Sequence, residues 1–266
     1  MPNDFSLDAN CKALWRLENG ALTVDSKGGN TLTNSGVDED TIDYKEGACS
    51  GVWLLANSDY MNIAHADLDA GMPLTVGYNS FSICSHFKIN TGGIPQVIFS
   101  KGAIPVDEEY FGVEVSYIGS PFFQNRLLIR NNSSGSFQSY SLNFNLLTDN
   151  WYHFGITFNG NDDFAYRIRV WDEEADLLLG ERTGVFTQCP DITAADYLFG
   201  KKFNNTTYLD GKLDETVMFN RIISAAEIDQ IRAGTYGGGP PSAGKFGALS
   251  GKLIPPEQAV GLYTEL

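Results

Sequence analysis

A chain of 266 residues with 42% hydrophobic content can bury one large core, and no run in it approaches the length of an apolar membrane span. The formal net charge of -15, from 33 acidic against 18 basic residues, argues against nucleic acid or an anionic membrane as partner, since both need clustered Lys and Arg. Neutral sugars and divalent cations stay open.

In chain order, residues 11–17 read as an opening strand, followed by a turn-rich region at 25–30 and strands near 51–56 and 60–63. Clear alternation begins at Phe81: Phe81, Ile83, Phe87 and Ile89 share one parity, and Cys84, His86 and Lys88 share the other. Further strands are predicted at 110–117, 126–131, 137–143, 151–159 and 166–171, separated by turn chemistry such as NNSSG at Asn131 and FNGNDD at Phe158. The stretch 208–237, YLDGKLDETVMFNRIISAAEIDQIRAGTYG, begins as a strand with Leu213, Val217 and Phe219 on one face. It then changes period. Ser224 and Glu227 form a capping box, Ile223 and Ile228 occupy the positions of a hydrophobic staple, and Gly234 supplies the stop, so a short helix is predicted here. Hairpins closed by one late helix describe an all-β, two-sheet antiparallel jelly-roll sandwich.

The tail differs in composition. GGGPPSAG is a linker, and the residues after it carry Leu253, Ile254, Leu262 and Tyr263 without enough chain for a separate core. The domain expectation is therefore one sandwich over 1–237, with an extended apolar arm over 238–266 that packs on the sandwich or on a neighbouring subunit.

The aromatic-x-Asp-Gly-x-Leu-Asp-Glu pattern at 208–215 with Phe219-Asn220-Arg221, the segment NWYHFGITFNG at 150–160 and the opening ALWRLENG with DSKGGN at 25–30 together resemble laminin-G-like domains of the concanavalin A-like lectin and glucanase superfamily. That resemblance implies a concanavalin A-like fold. It leaves function open among lectins, adhesion modules, structural particle proteins and glycosidases. It further implies a calcium site between the turn after the first strand and the last core strand, which maps here to Asp25, Asn30 and Asp214. Laminarinase-like glycosidases of the fold carry Glu-x-Asp-x-x-Glu along one strand; no such string occurs, and Glu114 stands alone on its strand, so catalysis is not expected.

With the inward parity assigned to the core, the opposite parity collects His86, Tyr110, Glu114, His153, Arg167, Arg169 and Trp171, together with Cys84, Lys88, Arg126 and Arg130. Rings for stacking beside guanidinium and carboxylate groups that grip vicinal hydroxyls suit a glycan or glycoconjugate. The competing reading is the solvated outer face of a sheet with its charges paired across strands. The start MPNDFSLDANCKALW lacks a basic segment followed by an apolar one, so Sec-type export is not expected. Cys11, Cys49, Cys84 and Cys189 are then expected as free thiols, and the sequons at Asn131, Asn132, Asn204 and Asn205 as unglycosylated. Leaderless laminin-G-like proteins resemble surface or tail products of phages, so the resemblance implies a virion or particle surface as the expected location, otherwise the cytoplasm. Three functions compete: a carbohydrate-binding adhesin on such a particle, a structural or decoration component without sugar binding, and a degenerate glycosidase.

Overall fold

A computed structural model describes residues 3–75, 79–102, 109–119, 124–133, 136–189, 192 and 194–237. The arm predicted over 238–266 lies outside the described residues. In chain order the strands are β1 (Cys11–Trp15), β2 (Thr33–Ser35), β3 (Asp38–Asp40), β4 (Ser50–Trp53), β5 (Tyr60–Ile63), β6 (Ser80–Ile89), β7 (Gln96–Gly102) and β8 (Tyr110–Ile118). They continue as β9 (Gln124–Ser133), β10 (Ser136–Ser141), β11 (Trp151–Asn159), β12 (Ala165–Asp172), β13 (Leu177–Val185), β14 (Tyr197–Phe199) and β15 (Gly211–Phe219), and the helix α1 is Ala225–Arg232.

Two antiparallel sheets form the predicted sandwich. The first runs β13, β12, β11, β6, β15, β4, β3, with β1 also paired to β15; the second runs β10, β9, β8, β7, β14, β5, β2. Their inner faces bury Phe81, Ile83, Phe87 and Ile89 of β6 and Phe154, Ile156 and Phe158 of β11 against Phe111, Val113 and Val115 of β8 and Leu127 and Ile129 of β9. Each such side chain contributes about 1.5–3 kcal/mol by leaving water, which makes this layer the main source of stability.

A second apolar layer lies on the outer side of the first sheet. Leu14, Cys84, Val217 and Phe219 pack under Ile223, Ile228, Ile231, Phe5 and Tyr236. The capping box is present: Glu227 N–H donates to Ser224 Oγ at 3.2 Å, and Ser224 N–H donates to Glu227 Oε2 at 2.7 Å. Gly155 makes the close docking possible, because a Cβ there would stand 2.3 Å from Ile228 Cγ2. Central strand β6 is thus buried on both sides, and its alternation marks which residues face the core without marking an exposed side.

One prediction is corrected here. Leu213, Val217 and Phe219 do not share a face. The register of β15 against β6 shifts between Asp214 and Val217, with Glu215 in the left-handed region at φ 48°. The bulge inserts one residue and reverses parity, so Leu213 and Met218 enter the core between the sheets while Val217 and Phe219 turn toward the helix. Cys11, Cys49 and Cys84 are free thiols, all three buried. Among the described residues no helix is long and apolar enough to cross a membrane.

Candidate functional site

The polar face predicted from alternation divides between two sides of the molecule. His86, His153, Arg167, Arg169 and Trp171 lie on β6, β11 and β12 of the first sheet, whereas Tyr110 and Glu114, with Arg126 and Arg130, lie on β8 and β9 of the second. Alternation assigns a side chain to one side of its own strand; which sheet that strand joins is set by long-range pairing.

On the first sheet, Trp171, His153, His86 and Asp214 form one row in register across four strands. The imidazole centroids are 4.8 Å apart, and the two histidines are 2% and 0% exposed. Burial, reinforced by the nearby cations Lys45 and Arg232, pushes His86 down to about 3. Burial likewise holds His153 well below the usual imidazole range, so both rings are neutral at physiological pH. Trp171 donates its indole N–H to Asp229 Oδ1 at 2.9 Å, and the Arg232 guanidinium lies 4.2 Å from its ring centroid. Arg169 meets both oxygens of Asp229 at 2.8 and 2.7 Å and Glu181 at 2.6 Å. These contacts fasten the helix to the sheet. They also engage Trp171 and Arg169 with partners inside the molecule, and a sugar reaches neither imidazole while the helix is docked.

Arg167 is placed differently. Beyond the helix start, toward the edge strand β13, an open groove of about 390 Å³ runs along the outer side of the first sheet. Its polar lining comes from Thr157, Asn159, Asp163, Arg167 and Thr183, and Val185 and Ile222 supply exposed apolar surface. Asn159 donates to Asp163 Oδ1 at 2.9 Å and accepts from Ser80 Oγ at 2.8 Å, which holds the floor in place. Arg167 Nε is 3.5 Å from Glu181 Oε1, a loose ion pair that leaves guanidinium hydrogens for a ligand. Among the predicted ligand residues, Arg167 lines this groove and the other six do not. Thr157 and Asn159 share the parity of His153 in the segment NWYHFGITFNG and were legible there. Thr183 and Val185 sit on a strand that the sequence reading missed.

The predicted calcium ligands form two separate knots. Asp25 Oδ1 accepts from Leu14 and Lys27 backbone N–H, each at 2.9 Å, and Asp25 Oδ2 accepts from the Asn30 side chain at 2.9 Å. Asn30 Oδ1 accepts from Asp69 N–H at 2.9 Å. Asp214 Oδ2 accepts from Lys45 and Glu46 N–H at 2.8 and 2.9 Å, while its Oδ1 is buried with no hydrogen-bond partner. Burial pushes the Asp214 carboxyl up to about 8. Most of these oxygens are committed to N–H donors. Calcium at Asp25, Asn30 and Asp214, as the resemblance implies, would have to displace these donors from the oxygens.

No protein-family profile matches the chain, and none of the curated proteins matches it. Solved structures do resemble it. The botulinum neurotoxin serotype G binding domain superposes with TM-score 0.58 at 14% identity, over 84% of this chain and 51% of that one. Domain 4 of an extracellular arabinanase from Geobacillus stearothermophilus, solved in complex with arabinotriose, gives TM-score 0.57 at 11% identity, over 84% of this chain and 98% of that one. Tailspike protein 2 of an Escherichia coli bacteriophage gives TM-score 0.57 at 11% identity over 77% of this chain, which spans 27% of the tailspike. These similarities show the fold, a β-sandwich compatible with a concanavalin A-like jelly roll.

Proposed function

We propose that the chain is a non-catalytic carbohydrate-binding module of laminin-G-like type, working on the surface of a phage-like particle, and that the groove over β11, β12 and β13 receives the glycan. The observation that carries this reading is the groove itself: hydroxyl, amide, carboxylate and guanidinium groups converge beside exposed Val185 and Ile222. Saccharides present the matching mixture of vicinal hydroxyls and weakly apolar C–H faces. The fold neighbours lend support, since one is an arabinanase domain with arabinotriose and another a phage tailspike. Among the described residues of the lining Asp163 is the one carboxylate, whereas glycoside hydrolysis uses a pair, which favours binding over catalysis.

A glycan array on the wild-type protein, followed by titration of the hits, tests this. Arg167→Ala removes a charge-assisted contact worth about 1.5–3 kcal/mol, so affinity falls roughly 10-fold or more with the fold intact. Absence of any glycan binding at millimolar concentration contradicts the proposal.

A further inference from the structure

The groove over β11, β12 and β13 has a floor of two rows. Register places Thr157, Arg167 and Thr183 side by side across the three strands; two residues further along, Asn159 of β11 pairs with Ser80 of β6, and Ala165 pairs with Val185. Strand alternation puts both rows on one side of the sheet. The wall is fastened to the same sheet. Ser82 Oγ of β6 donates to Arg221 O at 2.7 Å and accepts from Ile223 N–H at 3.0 Å, which holds the intervening Ile222 at the groove. Asp163 stands in the turn between β11 and β12.

Charge in and around the groove does not balance. Arg167 Nε is 3.5 Å from Glu181 Oε1, the same carboxylate meets Arg169 Nη1 at 2.6 Å, and Arg169 also holds Asp229 at 2.7 Å. Two guanidinium groups are thus matched by two carboxylates. Asp163 is left over. Its Oδ1 accepts from the Asn159 side chain at 2.9 Å and from Ala165 N–H at 3.1 Å, both uncharged donors, and among the described residues no ion pair involves it. The adjacent Asp162 is exposed and adds a second negative charge. Ser80 Oγ donates to Asn159 Oδ1 at 2.8 Å, which turns the amide N–H groups toward Asp163. The carboxylate is therefore held in place before any ligand arrives, and the entropy cost of using it is low.

We propose that the groove binds saccharides that carry no acidic group, and that Asp163 sets this selectivity. The inference rests on the reading of the groove as a glycan site. A carboxylate is a strong acceptor for vicinal ring hydroxyls. The same unmatched charge repels a uronate, sialate or sulfate brought alongside it; at about 4 Å through water the repulsion amounts to about fivefold in affinity. Arg167 does not reverse the preference, since Glu181 already answers its charge and its Nε is buried. The net charge of -15 acts in the same direction at longer range.

Matched pairs on a glycan array test this: neutral oligosaccharides beside their sialylated or sulfated counterparts, and methyl-esterified beside free oligogalacturonate, each pair then titrated against the full chain. The neutral member should bind about fivefold or more tightly at low salt, and the gap should narrow as salt is raised. Asp163→Asn, with an unchanged melting curve, should narrow the gap at least twofold, and Asp163→Glu, which keeps the charge, should retain it. Equal affinities within pairs, or tighter binding of the acidic members, overturn the inference; if Arg167→Ala still weakens both members, the groove reading survives that result. An unchanged gap in folded Asp163→Asn removes Asp163 as the selector and likewise overturns it. Binding of neither member of any pair at millimolar concentration defeats the groove reading and this inference together.

Discussion

The outer sides of the two sheets are built from similar alternating sequence and have opposite fates. On the first sheet, polar His86, His153 and Asp214 are sealed beneath the helix segment and the chain around Lys45, and their neighbours Arg169 and Trp171 are spent on fastening that roof. On the second, the turn at 201–207 packs on Tyr110 through Phe203 and Lys202, while Arg126, Lys201 and Lys202 stay half-buried at the surface. A polar residue on the outward parity of a strand is thus a binding candidate only where nothing packs on it, and what packs on it is decided by distant chain. The groove proposed to receive a glycan lies where the roof does not reach.

The most disruptive way to break this contrast is to loosen the roof. Ile228 is fully buried against Gly155, so Ile228→Ala should cost about 2–4 kcal/mol, the usual range for a truncated core residue. Arg126→Ala on the open side should stay within about 0.5 kcal/mol. Urea denaturation of both variants checks the difference; equal effects would mean that the helix contributes little.

The pH dependence sharpens it further. Asp214 is held near 8 against an ordinary 3.8, and burial pushes Glu215 up to about 7 against 4.5 even with Arg16 at 2.9 Å. Each folded carboxyl keeps its proton where the unfolded chain has lost it, so stability falls as pH rises toward these values. His86, lowered from 6.5 to about 3, acts with the opposite sign, but its influence ends near pH 6.5. Between pH 6.5 and 8 the wild type should therefore lose about 2 kcal/mol from Asp214, and Asp214→Asn should flatten most of that decline. Parallel profiles for the two proteins would contradict the buried, protonated Asp214.

Arg232→Ala should have a smaller effect, about 1–2 kcal/mol, through loss of the Glu173 pair at 2.7 Å and of the contact with Trp171. Chelator and millimolar calcium should give superimposable melting curves, given how the oxygens of Asp25 and Asn30 are engaged. A calcium-dependent rise of several degrees would instead show that these knots open to admit the ion.

The sandwich and the helix were legible because local chemistry specifies them: the alternation from Phe81 to Ile89, the pairing of Ser224 with Glu227, and the stop at Gly234. Strands β7 and β13 were not. Their sequences, QVIFSKG and LLLGERTGV, have weak alternation, and one is central while the other is an exposed edge. The bulge at Glu215 was hidden for a related reason, since an inserted residue leaves the count of apolar positions unchanged while reversing which way they point. For the site, sequence identified the residue types and missed their coverage. Burial of His86 and His153 depends on a helix more than 70 residues farther along the chain.

One paired titration tests the central claim most directly. With a glycan identified on the array, affinities are compared for wild type, Arg167→Ala in the open groove and Trp171→Phe beneath the roof, each shown to be folded. The expected result is a loss of roughly tenfold or more for Arg167→Ala and a change within about twofold for Trp171→Phe. Unchanged binding by Arg167→Ala together with a tenfold loss in folded Trp171→Phe would place recognition under the helix and contradict the division between covered and open surface.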